Sequence, residues 1–430
     1  MAAYLDGAIR SALGAWAVRM RKELNLPLAV RWREEGEDWV NLGEHEPPRL
    51  RVDIVDAKGA AAMLSPSLDS LGEAYVEGHI NVEGSVSEVL DMAHALSRGN
   101  PQGTNGREPV QDEDLQFVGR SSWLQRMMSK VTELGRHTRH TDEQAIQYHY
   151  DVSNDFYARW LDPAMVYSCA YFETGEETLA EAQTQKIDHI LNKLRLAPGH
   201  TLLDIGCGWG ALLIRAAQRF DIRGVGVTLS QNQYELARER VAQAGLADRV
   251  DIRLQDYRDI PGQFDRISSV GMFEHVGLKN LVPYFRRIHD LLTPGGWALN
   301  HGITSSDAFN RETSYGGGRF IDKYVFPDGE LPHIGTVLTD MQLGGLEAID
   351  VESLRRHYAR TLSLWSEAFE AQTAELRAMV TERTWRIWRV YLAGCAWAFE
   401  HDEISLFQVL CHRAGESAQG LPWSRKWMYA

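Results

Sequence analysis

Residues Thr201–Ala217, TLLDIGCGWGALLIRAA, constrain this chain more than any other stretch. The apolar run from Thr201 to Ile205 predicts a buried strand. Gly206, Gly208 and Gly210 predict a tight turn, and a helix opens at Ala211. Glycine at these positions tolerates positive φ and removes the Cβ atoms that would keep a ligand from the backbone. The helix that follows turns its unbonded N–H groups and the positive end of its dipole toward the same turn. Asp204 closes the strand just before it, where a carboxylate can accept from an amine or a hydroxyl. The spacing is G-x-G-x-G, which differs from the G-x-G-x-x-G of dinucleotide-binding turns.

The same alternation continues on both sides of this turn. Upstream, LAEAQTQKIDHILNKL predicts a helix with Leu179, Ala182, Ile187, Ile190 and Leu194 on one face. Downstream come a strand in RGVGVTL, a helix over Gln231–Ala244, and strands in RVDIRLQD and FDRISSVG. A helix over Leu281–Leu291 and a strand in GWALNHGI follow. Strands spaced by helices of this length imply an α/β domain whose central sheet is mainly parallel, with helices on both faces. Ligands of such sheets bind beyond the carboxyl ends of the strands. Asp204, Thr228, Asp256, Glu274 and His301 fall at those ends and are the candidate functional residues.

At 430 residues the chain exceeds one small core. Residues 1–96 read as a small α+β domain, residues 97–120 as a linker rich in Gly, Pro, Asn and charge, and residues 121–430 as the α/β domain. In the first domain Leu13, Trp16, Met20 and Leu24 recur at helical spacing, with Arg19, Arg21 and Lys22 between them. Such a stripe is either the core face of a helix or a surface that rests on a membrane. A net charge of −14 disfavours nucleic-acid partners. The cysteines, Cys169, Cys207, Cys395 and Cys411, lack the spacing of a disulfide framework or a zinc site, so no metal is expected. With no apolar run of membrane-spanning length and no apolar leader, a cytoplasmic protein is expected.

The DIGCGWG turn with its preceding aspartate resembles the first motif of S-adenosylmethionine-dependent methyltransferases, which implies a Rossmann-like class I fold. Most such enzymes hold the cofactor's ribose with an acidic residue at the end of the second strand. Here that strand ends Val227-Thr228-Leu229-Ser230, which leaves Thr228 and Gln233 as neutral substitutes. This departure, with YHYDVSNDFY, YSCAYF, MFEHVG, FIDKYVFPDGELPHI and HYARTLSLW, resembles the cyclopropane-fatty-acyl-phospholipid synthases and the related mycolic acid cyclopropane synthases. The resemblance covers about residues 144–415.

The resemblance implies a cofactor site of Tyr167, Ser168, Asp204, Gly206, Gly208, Thr228, Leu229 and Gln233, with Gln255 and Asp256 near the adenine. Mycolic relatives carry a tryptophan near Gln255, a second departure. It further implies a bound bicarbonate held by Glu274, His301, Tyr358 and the backbones of Ile303 and Cys169. Glu274 would face that anion as a protonated acid or as acceptor of its hydroxyl. An acyl tunnel would draw on residues 315–332 and 385–399. The implied reaction adds a methylene from S-adenosylmethionine across the cis double bond of a phospholipid acyl chain, at the inner face of a membrane, in a homodimer formed through the small domain. Three alternatives remain at this level: a fatty acid methyltransferase giving a methyl- or methylene-branched chain, a small-molecule methyltransferase, and a lipid-binding protein without catalysis. Each candidate also has an ordinary reading. Cys169 can be a small buried hydrophobe, His301 a structural histidine, Glu274 a cap and Tyr358 core packing beside Trp365.

Overall fold

A computed structural model describes residues 2–32, 39–98, 152–308, 318–326 and 329–429. The chain divides into two units. The first contains the described residues up to 98 together with 318–325 and 382–391. A helix over Ala2–Glu23 leads to strands β1 (Leu28–Trp32), β2 (Val40–Asn41), β3 (Leu50–Ile54) and β4 (Ile80–Glu83). They form a sheet in the order β2-β1-β3-β4, with β1 and β3 parallel. The helical stretch expected from Ala57 to Leu71 is two helices, Ala57–Leu64 and Leu68–Val76. Pro66 falls between them, and the Ser67 side chain caps the second by accepting the Ser70 N–H.

Leu13, Trp16 and Met20 are 6%, 4% and 3% exposed, so the first helix turns its apolar stripe into this unit's own core. The membrane alternative for that stripe is thereby corrected, because Trp16 cannot reach a headgroup while it packs inside. Arg19, Arg21 and Lys22 point to solvent. Among the described residues no helix is long and apolar enough to cross a membrane.

Two pieces from far along the chain complete the first unit. The Phe320 N–H donates to Asp69 (3.0 Å), and the Tyr324 hydroxyl donates to Glu77 (2.8 Å). Arg389 donates to the Tyr75 hydroxyl (2.9 Å). This grouping differs from the expected division, in which every residue after 120 belongs to the α/β domain. It also gives the first unit part of both segments expected to form the acyl tunnel; residues 309–317 and 327–328 lie outside the described residues. So do the expected linker from residue 99 onward and the motif residues Tyr148–Asp151.

The second unit holds seven strands in the order β10-β11-β9-β8-β5-β6-β7. They are β5 (Thr201–Ile205), β6 (Arg223–Thr228), β7 (Val250–Leu254), β8 (Phe264–Val270), β9 (Leu292–Ser305), β10 (Leu346–Ser353) and β11 (Ile404–Arg413). From β7 to β9 all neighbours are parallel, whereas β11 runs antiparallel to both β9 and β10. Helices Leu179–Lys193, Ala211–Phe220, Gln231–Gln243 and Leu281–Leu291 stand where the periodicity puts them. Successive residues of each central strand feed two separate cores. Leu202 packs with Leu213 and Ile252, whereas Leu203 and Ile205 pack with Ile267 and Phe285. Burial on both faces is why these strands read as continuous apolar runs without polar alternation. After β7 the chain returns to the other side of β5 to form β8, so the switch point lies at β5, beside the glycine turn.

Replacing Trp16 by Ala should lower the stability of the first unit by about 3–5 kcal/mol, as expected for a buried aromatic. Urea unfolding followed by fluorescence measures this. Unchanged stability together with lost vesicle binding would restore the membrane role of this helix.

Candidate active site

A cavity opens at the carboxyl ends of β5, β6 and β7. Gly206 and Gly208 of the glycine turn line it, and with Gly210 they have φ of 79°, 53° and 83°, values strained for any residue with a Cβ. Tyr167 and Ser168 enter from the segment before the Leu179–Lys193 helix. They are fixed because Gln183 of that helix donates to the carbonyls of Val166 (3.2 Å) and Ser168 (2.8 Å). From β6 come Thr228 and Leu229, and Gln233 follows from the next helix. The Thr228 hydroxyl donates to Gln233 Oε1 (2.8 Å), so a bonded neutral pair stands at this strand end. Gln255 and Asp256 follow β7. Both are engaged within the chain, Gln255 donating to the Asp259 carbonyl (3.0 Å) and Asp256 pairing with Arg258 (2.6 Å). All ten residues expected at the cofactor line this one cavity.

Lys186 lines it too, although no motif in the sequence singles it out. Its ammonium group is buried and donates to the Ser168 hydroxyl (2.8 Å). Burial draws Lys186 down to about 8, against the pull of Cys169, Asp162 and Asp204. Asp204 is buried as well and accepts from the Ser268 hydroxyl (2.7 Å); burial lifts it to about 6. The one signal in the sequence is a lysine in line with Ala182 and Ile190 at four-residue spacing on a buried helix. A buried cation beside a buried acid suits a zwitterion such as the amino-acid end of S-adenosylmethionine, and the turn's missing Cβ atoms leave room for the rest.

The residues expected around bicarbonate lie deeper. Gly302 of β9 sits directly under the Phe273 ring, and a Cβ there would collide with it. This close approach brings Glu274 onto the strand, where its Oε1 accepts the Ile303 N–H (2.7 Å). Its Oε2 is buried without a partner, and burial lifts the acid to about 7. His301, on the same face of β9 as Ile303, is 1% exposed, and its Nε2 also lacks a partner. Burial, then the nearby Lys186 and Lys193 charges, hold this imidazole well below the usual histidine range.

Cys169 packs under the start of the Arg355–Ala371 helix, its thiol donating to the Ala170 carbonyl (3.2 Å) and the Leu354 carbonyl (3.8 Å). Burial pushes the thiol far up, which excludes a thiolate nucleophile. Tyr358 lies one turn into that helix, its ring 6.0 Å from Trp365, which in turn stands 5.2 Å from Tyr167. Glu274 Oε2 and His301 Nε2 are thus buried atoms with bonding capacity to spare, of the kind that bicarbonate would use. The expected Ile303 N–H contact departs from this, because Glu274 already takes that N–H.

A family model described as mycolic acid cyclopropane synthetase matches residues 137–409. The chain belongs to that family. A second model, a domain of unknown function, matches residues 15–100. A probable fatty acid methyltransferase of Pseudomonas putida is 43% identical over 412 residues, covering 95% of this chain and 98% of the relative. The cyclopropane-fatty-acyl-phospholipid synthase of Escherichia coli (strain K12) is 42% identical over 269 residues, 63% of this chain and 68% of the relative. Among solved structures, mycolic acid cyclopropane synthase CmaA1 complexed with SAH and CTAB superposes with a TM-score of 0.60 at 39% identity. It covers 63% of this chain and 98% of that chain. The second unit is thus an S-adenosylmethionine-dependent methyltransferase of the class I fold.

Replacing Lys186 by Met should weaken S-adenosylmethionine binding by roughly tenfold or more, the size of a lost hydrogen bond to a charged group. Titration calorimetry reads it, and unchanged affinity would remove Lys186 from the cofactor site.

Glu274 generates a pH prediction. Its folded value of about 7 exceeds the ordinary 4.5, so between these the native state holds a proton that the unfolded chain has lost. Stability from this group is present below about 4.5 and drains away as pH rises through about 7. Each tenfold difference in proton affinity between the folded and unfolded chain corresponds to about 1.4 kcal/mol. Glu274→Gln should therefore flatten the decline and be the more stable protein at pH 8 in urea unfolding. The same pH slope in both proteins would contradict the raised value.

Proposed function

We propose that this chain adds a methylene bridge to the cis double bond of an unsaturated phospholipid acyl chain. The observation that carries the reading is the pair of orphaned atoms, Glu274 Oε2 and His301 Nε2, buried near the cofactor cavity in a setting that discourages charge. When bound, S-adenosylmethionine supplies an electrophilic methyl group and bicarbonate a base. The alkene's electron pair forms the new C–C bond as the sulfonium C–S bond breaks, leaving S-adenosylhomocysteine and a cation on the neighbouring carbon. Loss of one proton from the new methyl group closes the ring.

This chain's residues create the conditions for that sequence. Lys186, Ser168 and Asp204 hold the cofactor's charged end. Tyr167, which lines the cavity, is backed by the rings of Trp365 and Tyr358, a cluster with no strong nucleophile to intercept a cation. The Cys169 thiol is held protonated by burial and so is a weaker nucleophile than its thiolate. Glu274 and His301 supply the hydrogen-bonding atoms that would hold the base. Access to a phospholipid chain places the enzyme peripherally at the inner face of a membrane. The similarity to the E. coli cyclopropane-fatty-acyl-phospholipid synthase supports this substrate class.

A second reading is methyl transfer without ring closure, giving a branched fatty acyl chain. The similarity to a probable fatty acid methyltransferase along nearly the whole chain favours it.

The deciding experiment incubates the full-length protein with dioleoyl phospholipid vesicles, bicarbonate and S-adenosylmethionine carrying a CD₃ methyl, followed by mass spectrometry of the lipids. Gain of CD₂ with loss of the double bond is the expected result. Retention of CD₃, or gain of CD₂ with a double bond still present, selects the branched product. Absence of label with cofactor binding intact overturns the lipid assignment.

A further inference from the structure

His301 sits opposite Gln408 in the antiparallel pairing of β9 with β11. Gln408 is 0% exposed, and its Nε2 lies 3.2 Å from His301 Nδ1. An amide nitrogen can only donate, so His301 Nδ1 accepts from Gln408 Nε2, while the Gln408 carbonyl oxygen stays buried without a partner. A ring nitrogen that accepts carries no proton, so the imidazole proton sits on the other one.

We infer that Gln408 is a positioning residue that fixes His301 as the neutral tautomer protonated at Nε2, so that the buried face of strand β9 presents an N–H donor. This rests on the methyl-transfer reading and deepens it, because it assigns the role of the histidine. A neutral imidazole bearing its proton at Nε2 cannot take a proton there. It is placed to donate to an oxygen of a guest and cannot itself be the base. His301 is surrounded by Lys186, Lys193 and His189 from the Leu179–Lys193 helix and by Glu352 of β10, and the three basic neighbours all oppose a second ring proton.

The test labels the full-length protein with ¹⁵N-histidine and reads ring protonation from long-range ¹H–¹⁵N correlations, with His301→Gln identifying the signal. Wild type should show the proton on Nε2 alone. A proton on Nδ1, or on both nitrogens, overturns the inference. Gln408→Glu, whose carboxylate accepts from Nδ1–H, should move the proton to Nδ1 or add a second one. Gln408→Met should give a mixture of tautomers. Binding of S-adenosylhomocysteine confirms that each variant folds; a variant that does not fold leaves the wild-type spectrum to decide. In both variants kcat should fall about tenfold or more, the range seen when the orienting partner of a site histidine is removed, with KM for S-adenosylmethionine unchanged. Full kcat in a folded variant overturns the positioning role. A wild-type protein with the proton on Nε2 but no lipid product would instead sink the functional reading and leave the tautomer standing.

Discussion

The second unit depends on a stripe of polar side chains buried along a single helix. Gln183, Lys186, His189 and Lys193 are 0%, 2%, 4% and 0% exposed, at spacings that keep them on one side of Leu179–Lys193. Isolated charges in such a place would be costly, so each one dictates a partner. Lys193 donates to Glu352 (2.5 Å) and stands 3.5 Å from Asp350, both on β10. His189 bonds the same Glu352 (2.7 Å), and these two side chains help to hold that carboxylate down at about 2 despite its burial. Gln183 pins the Tyr167–Ser168 backbone, and Lys186 reaches the Ser168 hydroxyl. One helix thereby fixes the entrance of the cofactor cavity at one end and the far edge of the sheet at the other.

Desolvation acts on the functional groups in a common direction. Asp204 and Glu274 are pushed toward their neutral acids, and His301 toward neutral imidazole. Lys186 is drawn toward its neutral amine. Groups so placed change protonation readily when a charge comes beside them.

Much of this was legible in the sequence because it follows from periodicity and from glycine. Strands β5 to β9 and the intervening helices obey spacing rules that act locally, and Gly206, Gly208 and Gly210 can hardly mean anything but a turn. The edge of the sheet was not legible. Strands β10 and β11 are separated by the long helices Arg355–Ala371 and Glu382–Glu400, and nothing local to Leu346–Ser353 or Ile404–Arg413 announces that they pair with each other and with β9. The attachment of 318–325 and 382–391 to the first unit escaped for the same reason, since Arg389 and Tyr75 carry no mark of their partnership in the linear order. Lys186 and Gln408 escaped because a lysine or glutamine in an amphipathic pattern is ordinarily solvated. Only burial turns them into informative residues.

The place of β11 in the sheet has a consequence for how the protein comes into being. It lies between β9 and β10, yet it follows both in the chain. While the polypeptide is being made, β9 must wait as an open sheet edge, with its row of unpaired backbone groups and the imidazole of His301 uncovered. That edge invites pairing with other chains until the last strand arrives to seal it. His301 is thus covered only after β10 and both long helices have been made, and a chain interrupted before Ile404 would be a sticky intermediate with its glycine turn already formed.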